Sequence, residues 1–279
     1  MKVSILIANY NNGKYFKDCY ESILSQTYTN WEAIIVDDKS TDDSVEIITN
    51  LIGDDPRFHL YKHPVNQGVG IIKSMLIELA NGEICTFLDP DDAIIPEAIE
   101  NHVKNLQSDS EIAYTYSRLV TCDEKLKPLT EFRAAMQVPN GDPSFFNCPV
   151  QIAPLVCFRK NFYEKSGKMD TSKKIAEDQD IYLKMYETGK VKFVDQSDYL
   201  YRAHSGGISQ NENKQKSYDY WGEVIYNAMK RRQLAKIGGS VIPENYPGSA
   251  TVFKLLEYQN RIPYRIFKKA KVWMQKLGF

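Results

Sequence analysis

A regular alternation of apolar and amphipathic segments in the first hundred residues constrains the fold more than any other feature of the chain. Strand-sized apolar runs lie at 3–8, 32–37, 57–61 and 83–88. Helix-sized stretches separate them, near 14–26, 42–52 and 68–81. This order predicts an α/β fold with a parallel sheet and helices on both of its faces. Ligands bind such sheets at the carboxyl ends of the strands, so we expect the functional site at that edge.

Polar and acidic residues collect at the predicted strand ends. These segments read "ANYNNG" at 8–13, "DDKSTDD" at 37–43 and "DPDD" at 89–92. The first turn lacks the repeated glycines of a dinucleotide site, and the chain has no GxxxxGK[ST] loop for phosphates. Three carboxylates as close as those of "DPDD" repel one another unless a cation, backbone donors or water compensate. We interpret the cluster as a site for Mg²⁺ or Mn²⁺ that holds a nucleotide diphosphate.

Composition excludes several other classes of protein. The 279 residues are 43% hydrophobic and 25% charged, which suits one large domain or two closely joined ones. The formal net charge of -1 provides no basic field, so we expect no nucleic-acid partner. Asn9 and Asn11 interrupt the short N-terminal apolar run, and no apolar run is long enough to cross a bilayer. Five cysteines without a CxxC pair predict reduced, mostly structural thiols and a cytoplasmic location.

Six segments, taken in order, resemble the motifs of one enzyme family. They read "VSILIANYNNGKYFKDCYESILSQTYTNWEAIIVDDKSTDDS", "NQGVG", "GEICTFLDPDD", "GKMD", "AEDQD" and "YRAHSGGIS". In this order and spacing, over about residues 1–210, the chain resembles the inverting family-two glycosyltransferases with a GT-A fold. The resemblance implies a mainly parallel central sheet flanked by helices. It also implies transfer of a sugar from a nucleotide donor, usually a UDP-sugar, with inversion at the anomeric carbon.

The resemblance suggests how the chain is divided. It implies a nucleotide-sugar-binding half at 1–95 and an acceptor-side half of the same GT-A domain at 96–210. A helical C-terminal region follows at 211–279. Residues 122–150 match no motif of the family, and we assign them to the acceptor side.

The resemblance assigns the nucleotide base to residues at the ends of the first two strands. Asp38 corresponds to the family acid that hydrogen-bonds the base, and Tyr10 and Asn11 match the base-binding edge. Another interpretation is that this loop only caps the following helix. Residues 42–44, "DDS", suffice for that role, so capping does not require an acid at position 38.

The resemblance divides the "DPDD" carboxylates between donor and metal. It assigns Asp89 to the ribose, Asp91 to the metal and Asp92 to the substrate side as a third member. A turn followed by a helix that starts near Pro96 would explain one of these acids through the helix dipole, but not three. Related enzymes also place a histidine on the metal at the position of His204. Imidazole suits Mn²⁺ without excluding Mg²⁺.

The resemblance identifies Asp178 as the general base that takes the proton of the acceptor hydroxyl. Glu177 beside it belongs to the substrate-binding set, although an acid at a helix start also compensates the dipole. Arg202 and Ser205 correspond to contacts with the diphosphate. Lys73 stands where many members have an arginine followed by an asparagine. It keeps the positive charge for donor binding but loses the planar fork of arginine.

The last helical stretch, 264–279, is amphipathic. Its apolar face would carry Ile266, Phe267, Ala270, Trp273, Met274 and Leu277. Lysines at 268, 269, 271 and 276 lie away from that face. The pattern suits peripheral contact with the inner face of a membrane. It equally suits a helix docked on its own domain with a solvated basic face.

Two other function classes remain open at this point. A sugar-nucleotide nucleotidyltransferase would share the sheet and the carboxylates, but it needs a glycine-rich basic loop that "ANYNNGKY" does not supply. A non-catalytic glycan-assembly module would have lost the metal acid or the base, whereas Asp91 and Asp178 are both present. The favoured function is transfer to a glycan or lipid-linked oligosaccharide acceptor in bacterial surface polysaccharide assembly.

Overall fold

The first part of the chain forms the predicted parallel sheet. The computed structural model describes residues 1–172, 175–204 and 214–277. Its first elements are β1 (Val3–Asn9), α1 (Phe16–Leu24), β2 (Trp31–Asp37), α2 (Ser44–Ile52), β3 (Phe58–Lys62), α3 (Val69–Leu79) and β4 (Ile84–Phe87). The four strands pair in parallel in the order β3-β2-β1-β4. The predicted alternation of strands and helices is confirmed.

The next segment extends the same sheet. It contains β5 (Ala93–Ile94), α4 (Ala98–Gln107), β6 (Ile112–Cys122), β7 (Pro128–Glu131), β8 (Ala153–Arg159), α5 (Lys160–Lys165), α6 (Glu177–Tyr186) and β9 (Lys190–Arg202). The sheet continues from β4 in the order β8-β6-β9-β5, with β7 attached to β6. β6 and β9 are parallel, whereas β8 runs antiparallel to both of its neighbours and β5 runs antiparallel to β9. A single mainly parallel sheet therefore connects both parts of the chain.

The sheet is covered on both faces, which explains why its strands are apolar throughout. In β1, Leu6 faces one hydrophobic cluster, which includes residues of α3 and α6, whereas Ile5 and Ile7 face another, which includes residues of α1 and α4. Because successive side chains of a strand point to opposite faces, a strand buried on both sides reads as a continuous apolar run. All five cysteines are free thiols, and four of them are buried.

The C-terminal region is mainly helical, as expected. It contains α7 (Lys214–Arg231), the short hairpin β10 (Lys236–Ile237) and β11 (Ser240–Val241), α8 (Ser249–Leu256) and α9 (Ile262–Lys276). Val224 and Ala228 of α7 are fully buried in the cluster that also contains residues of α6 and α8. Within the described ranges, no helix combines the length and the apolar composition needed to cross a membrane.

The last helix, α9, docks through polar side chains. Lys268 donates a hydrogen bond to Gln151. The side chain of Gln275 accepts from the backbone N–H of Asn140 at 2.9 Å and donates to its carbonyl at 2.8 Å. The exposed residues on the predicted apolar face include Ile266, Phe267, Trp273, Met274 and Leu277. The helix is thus docked on its own domain, but with its apolar face outward rather than inward.

Glu32 connects three chain segments at the end of the sheet opposite the carboxyl ends of the parallel strands. Its carboxylate accepts hydrogen bonds from Ser4 Oγ at 2.6 Å and from the backbone N–H of Asn81 at 2.7 Å. Lys2 Nζ lies 2.5 Å from Oε2 in an ion pair. Burial by itself raises the pKa of Glu32, but these contacts with Lys2, Ser4 and Asn81 outweigh it and lower the pKa from 4.5 to about 2.

We therefore expect Glu32→Gln to lower the free energy of unfolding by about 2–3 kcal/mol at neutral pH, because an amide cannot replace charged hydrogen bonds. A carboxylate with a lowered folded-state pKa stabilises the protein above its unfolded pKa. That contribution declines as pH falls from about 4.5 towards about 2. Urea unfolding at pH 7 and pH 3 measures it, with Glu46→Gln on the exposed side of α2 as control. A deficit equal at both pH values would contradict the prediction.

Candidate active site

The structure brings the two predicted metal ligands into contact. Asp91 lies in the turn between β4 and β5, and His204 lies two residues beyond the end of β9. Antiparallel pairing of β5 with β9 aligns these two segments. As a result, His204 Nε2 lies 2.8 Å from Asp91 Oδ2. The His204 ring also packs against the ring of Tyr15, with centroids 4.7 Å apart.

The carboxylate of Asp92 binds β9, the strand that ends just before His204. One of its carboxylate oxygens accepts from the backbone N–H of Arg202, and the other accepts from the hydroxyl of Tyr199, both at 2.7 Å. Burial raises the pKa of Asp92 to about 8, and the neighbouring carboxylates of Asp89 and Asp91 add to that rise. Both oxygens thus have partners on β9, and the predicted role of Asp92 towards substrate stays a prediction.

Arg202 makes its contacts within the protein. Its Nε donates to the backbone carbonyl of Asp91 at 2.6 Å, and its Nη2 donates to the carboxylate of Asp18 at 2.6 Å. The remaining nitrogen, Nη1, donates to the carbonyl of Glu124 at 2.5 Å. The guanidinium therefore positions the turn that carries Asp91. Its predicted companion in diphosphate binding, Ser205, lies outside the described residues.

Lys73 of α3 connects to the start of α6. Its ammonium donates to Glu177 at 2.9 Å and to Asp178 Oδ1 at 2.8 Å. Burial alone would lower the pKa of Lys73, but the charges of Asp178, Glu177 and Asp89 hold it well above its usual value. Lys73 is therefore a cation. The sequence predicts that Lys73 contacts the nucleotide-sugar donor. The structure shows that its ammonium also has two carboxylate partners.

The side chain of Asp178 remains partly open to solvent. It is 37% exposed, whereas the Lys73 side chain is 6% exposed. The second carboxylate oxygen of Asp178, Oδ2, has no hydrogen bond to any residue in the described ranges. One oxygen is thus fixed by an ion pair and the other is available, as a general base requires.

Asp89 links the metal ligands to the candidate base. Desolvation raises the pKa of Asp89 to about 6; Lys73 opposes that rise, and the carboxylates of Asp91, Asp178 and Glu177 contribute to it. Charges from both sides of the site therefore act on this one carboxyl group. Asp89 is itself exposed, so the cluster opens to solvent at the carboxyl end of β4.

Asp38 is buried and bound to backbone groups. Its two carboxylate oxygens accept from the backbone N–H groups of Gln67 and Gly68, each at 2.8 Å. These residues directly precede α3, whose free N–H groups favour a negative partner. The carboxylate thus stabilises the start of α3, while Asp42 Oδ1 accepts from Ser44 N–H at 3.0 Å at the start of α2. The contact of Asp38 with a nucleotide base stays a prediction.

Tyr10 and Asn11 lie directly after β1, at the same edge. Tyr10 is 46% exposed and presents an open aromatic ring. Asn11 has a φ of 54°, and its side-chain oxygen accepts from the N–H of Thr41 at 2.8 Å. The loops after β1 and β2 are therefore joined beside an accessible ring. The contact of Tyr10 and Asn11 with the nucleotide base stays a prediction.

Two aromatic residues of the site escaped prediction from sequence. Tyr15 packs on His204, and the hydroxyl of Tyr199 contacts both Asp92 and the backbone N–H of Asp89, the latter at 3.3 Å. Tyr15 lies within the first of the six segments, but the resemblance assigns it no role, and Tyr199 lies outside all six. The nearest signal is position, since Tyr15 follows the first strand by six residues.

The donor set of Asp91 and His204 suits a divalent cation shared with a phosphate. Mg²⁺ and Mn²⁺ sites commonly use one or two protein ligands and complete their shell with water and substrate oxygens. A carboxylate and an imidazole directed at each other provide two such donors. Within the described ranges, no group of three or more acidic, histidine or cysteine side chains forms a closed metal site. The two side chains thus provide donors of the kind that a divalent cation uses.

Comparisons with known proteins identify the family of the chain. Residues 4–167 match Glycosyl transferase family 2. Glycosyltransferase GlyG of Streptococcus pneumoniae is 29% identical over 222 residues, which are 75% of this chain and 73% of GlyG. A chondroitin synthase of Pasteurella multocida is 28% identical over 284 residues, which cover 98% of this chain but 28% of the synthase. The chain thus spans a minor part of some curated relatives.

The fold has solved counterparts as well. The crystal structure of S. aureus TarS 1-349 in complex with UDP-GlcNAc aligns with a TM-score of 0.68 and 18% identity. The alignment covers 92% of this chain and 70% of TarS. At that identity the likeness establishes the GT-A type of fold and no more. Because the family match covers more than half of the sequence, the chain belongs to glycosyl transferase family 2.

Proposed function

We propose that this protein is a metal-dependent inverting glycosyltransferase. It transfers a sugar from a UDP-sugar to a hydroxyl of a glycan or lipid-linked oligosaccharide. One observation carries the proposal: the paired Asp91 and His204 and the half-free Asp178 carboxylate both border the open cluster around Asp89. The TarS complex with UDP-GlcNAc supports a UDP-sugar as donor.

Asp91 and His204 would hold Mn²⁺ or Mg²⁺. When bound there, the cation offsets the negative charge that develops on the departing diphosphate. Arg202 and Asp92 position these two ligands, since they bind the Asp91 carbonyl and the end of β9. We assign the ribose to Asp89 and the nucleotide base to the edge formed by residues 10, 11 and 38.

Asp178 acts as the general base. Its Oδ2 accepts the proton of the acceptor hydroxyl while the hydroxyl oxygen attacks the anomeric carbon. Lys73 holds Oδ1 and so orients the carboxylate, and Glu177 holds Lys73 from the other side. Attack on the face opposite the leaving diphosphate is a single displacement, which inverts the configuration. In this proposal Lys73 and Glu177 position the base, and any contact they make with the donor is additional.

A panel of nucleotide sugars tests the proposal directly. Each is incubated with the protein in Mn²⁺, in Mg²⁺ and in chelator, and release of nucleotide diphosphate is followed with and without oligosaccharide acceptors. We expect release from a UDP-sugar that depends on the cation, and an anomeric configuration opposite to that of the donor by NMR. Retained configuration, or equal release in chelator, would contradict the mechanism. No release from any donor would contradict the activity itself.

The similarity to a chondroitin synthase supports a glycan acceptor. We place the reaction in bacterial surface polysaccharide assembly at the inner face of a membrane. The exposed apolar face of α9 supports that location, because Phe267 and Trp273 are 59% and 63% exposed on a helix that also carries lysines. Such a face gains both from apolar burial in the interface and from attraction to anionic lipid.

Replacing Phe267 and Trp273 by serine should therefore weaken binding to anionic vesicles by about tenfold or more, because most of the buried aromatic area is lost. Sedimentation with vesicles that contain acidic phospholipid measures the effect. Val241→Ser, which removes another exposed apolar residue from β11, provides the control. Affinity for UDP should stay unchanged in both proteins. Equal vesicle binding by all three proteins would show that α9 does not contact the membrane.

A further inference from the structure

A cleft of about 630 Å³ lies between α9 and the chain segments 134–137 and 149–151. Four cationic side chains of α9 line it: Arg265, Lys268, Lys269 and Lys276. Its other walls are polar amides and apolar groups, among them Met136 and Pro149, and none of the described aspartates or glutamates lines it. The lining thus combines concentrated positive charge with an uncharged floor.

Most of this charge has no acidic partner. Arg265, Lys269 and Lys276 are exposed and form no ion pair with any residue in the described ranges. Lys268 is half-buried, donates to Gln151 and lies 4.9 Å from the ring centroid of Phe145. Like charges held on one side of a helix repel one another. An anionic ligand would relieve that repulsion.

The cationic side of α9 is distinct from its other two sides. Gln275 faces Asn140 of the domain, and Trp273 and Met274 face solvent. Three cationic residues and one valine recur at intervals of three and four along α9, which places them on one side of the helix: Arg265, Lys269, Val272 and Lys276. The cleft and the exposed apolar face are therefore different surfaces.

A short chain of contacts connects the cleft with the candidate base. Gln151, the partner of Lys268, donates its backbone N–H to the side chain of Asn147 at 2.8 Å. Asn147 is fully buried and donates to Gln179 at 2.8 Å. Gln179 directly follows Asp178. Hydrogen bonds thus join the lining of the cleft, through one buried side chain, to the residue beside Asp178.

We propose that this cleft binds an anionic part of the acceptor glycan, through phosphate or carboxylate groups carried by its sugar units. The inference rests on the proposed function and specifies its acceptor class. A glycan that leads to Asp178 extends beyond the reacting sugar, and the four cations would fix that extension by charge-assisted hydrogen bonds. A recessed cleft suits a chain of sugar units better than a lipid surface, which an outward-facing helix side meets more easily.

Calorimetry without metal or nucleotide tests the inference independently of turnover. The probes are an oligouronate, an oligomer of polyol phosphate and a neutral oligosaccharide of equal length. We expect the wild-type protein to bind at least one anionic oligomer about tenfold or more tightly than the neutral one, with an affinity that falls as salt rises. The two anionic probes distinguish carboxylate from phosphate recognition. Binding of anionic vesicles alone, or equal binding of all oligomers, would overturn the inference.

Variants locate the binding. The double variant Arg265→Gln, Lys269→Gln should lose about tenfold or more of the affinity for the anionic oligomer, because each lost charge removes a charge-assisted bond. Lys254→Gln on the exposed side of α8 is the matched control, and Lys269→Arg should retain binding. UDP affinity should not change in any variant. An unchanged affinity of the double variant for the oligomer would overturn the inference, even if sugar transfer from UDP-sugars is established.

Discussion

Replacing Asp178 by asparagine should lower the rate of sugar transfer by on the order of a hundredfold or more, because an amide cannot accept the proton of the acceptor hydroxyl. The fold and the donor affinity should be preserved. An asparagine has nearly the same shape, and Lys73 keeps its second partner, Glu177, at 2.9 Å. The loss should appear in kcat more than in the KM for the donor, as expected when the lost interaction forms in the transition state.

Glu177→Gln is the matched control for this experiment. Glu177 binds the same ammonium but is buried, with 8% of its side chain exposed, so its role is to support Lys73. Its replacement should cost less than that of Asp178. Steady-state kinetics with a saturating UDP-sugar and a competent acceptor compare the two. Near-normal transfer by Asp178→Asn, or equal losses in both variants, would remove Asp178 from the role of base.

Replacing Asp91 by asparagine should weaken UDP binding by about tenfold or more in Mn²⁺ and abolish its dependence on the cation. An amide oxygen carries no charge to offset the dehydration of the cation. In the wild-type protein, Asp91 Oδ2 lies 2.8 Å from His204 Nε2. The variant would keep only His204 of these two proposed ligands. Calorimetry of UDP in Mn²⁺, in Mg²⁺ and in chelator measures both effects.

Asp54→Asn controls for the general loss of one negative charge, since Asp54 is exposed in the turn after α2. It should bind UDP like the wild-type protein under every condition. If the wild-type protein binds UDP equally well with and without divalent cations, the assignment of Asp91 and His204 to a metal is wrong.

Local periodicity predicts β1 to β4 and the helices between them, because each of these strands is a short apolar run bounded by polar turns. It does not predict that β8 enters the sheet between β4 and β6. Antiparallel pairs such as Cys85 with Phe158 depend on contacts between distant parts of the chain, and no local pattern encodes them. The sequence also does not predict the orientation of α9 on the domain. The sequence predicts how apolar and basic side chains are distributed around α9. Which side of the helix faces Asn140 depends on the surface against which α9 packs.

The sequence assigns roles to individual residues, but it does not predict their hydrogen-bond partners in the folded protein. Asp91 Oδ2 and His204 Nε2 lie 2.8 Å apart, and their role as metal ligands stays a prediction. Lys73 was assigned to the donor on its charge, yet its ammonium contacts the carboxylates of α6. Asp38 binds the N–H groups before α3 rather than capping α2, and its contact with a nucleotide base stays a prediction. A motif identifies residue types, whereas hydrogen-bond partners depend on how helices pack.

Both pairs that build the site join distant parts of the chain. Lys73 and Asp178 are 105 residues apart in sequence, and Asp91 and His204 are 113 apart. Neither pair can persist if either part of the sheet opens, because no local segment contains both members. Regions of a protein open with different free energies, and a site shared between two regions follows the less stable one. Loss of turnover during gentle denaturation therefore reports the first separation of the two parts of the sheet, before global unfolding is complete.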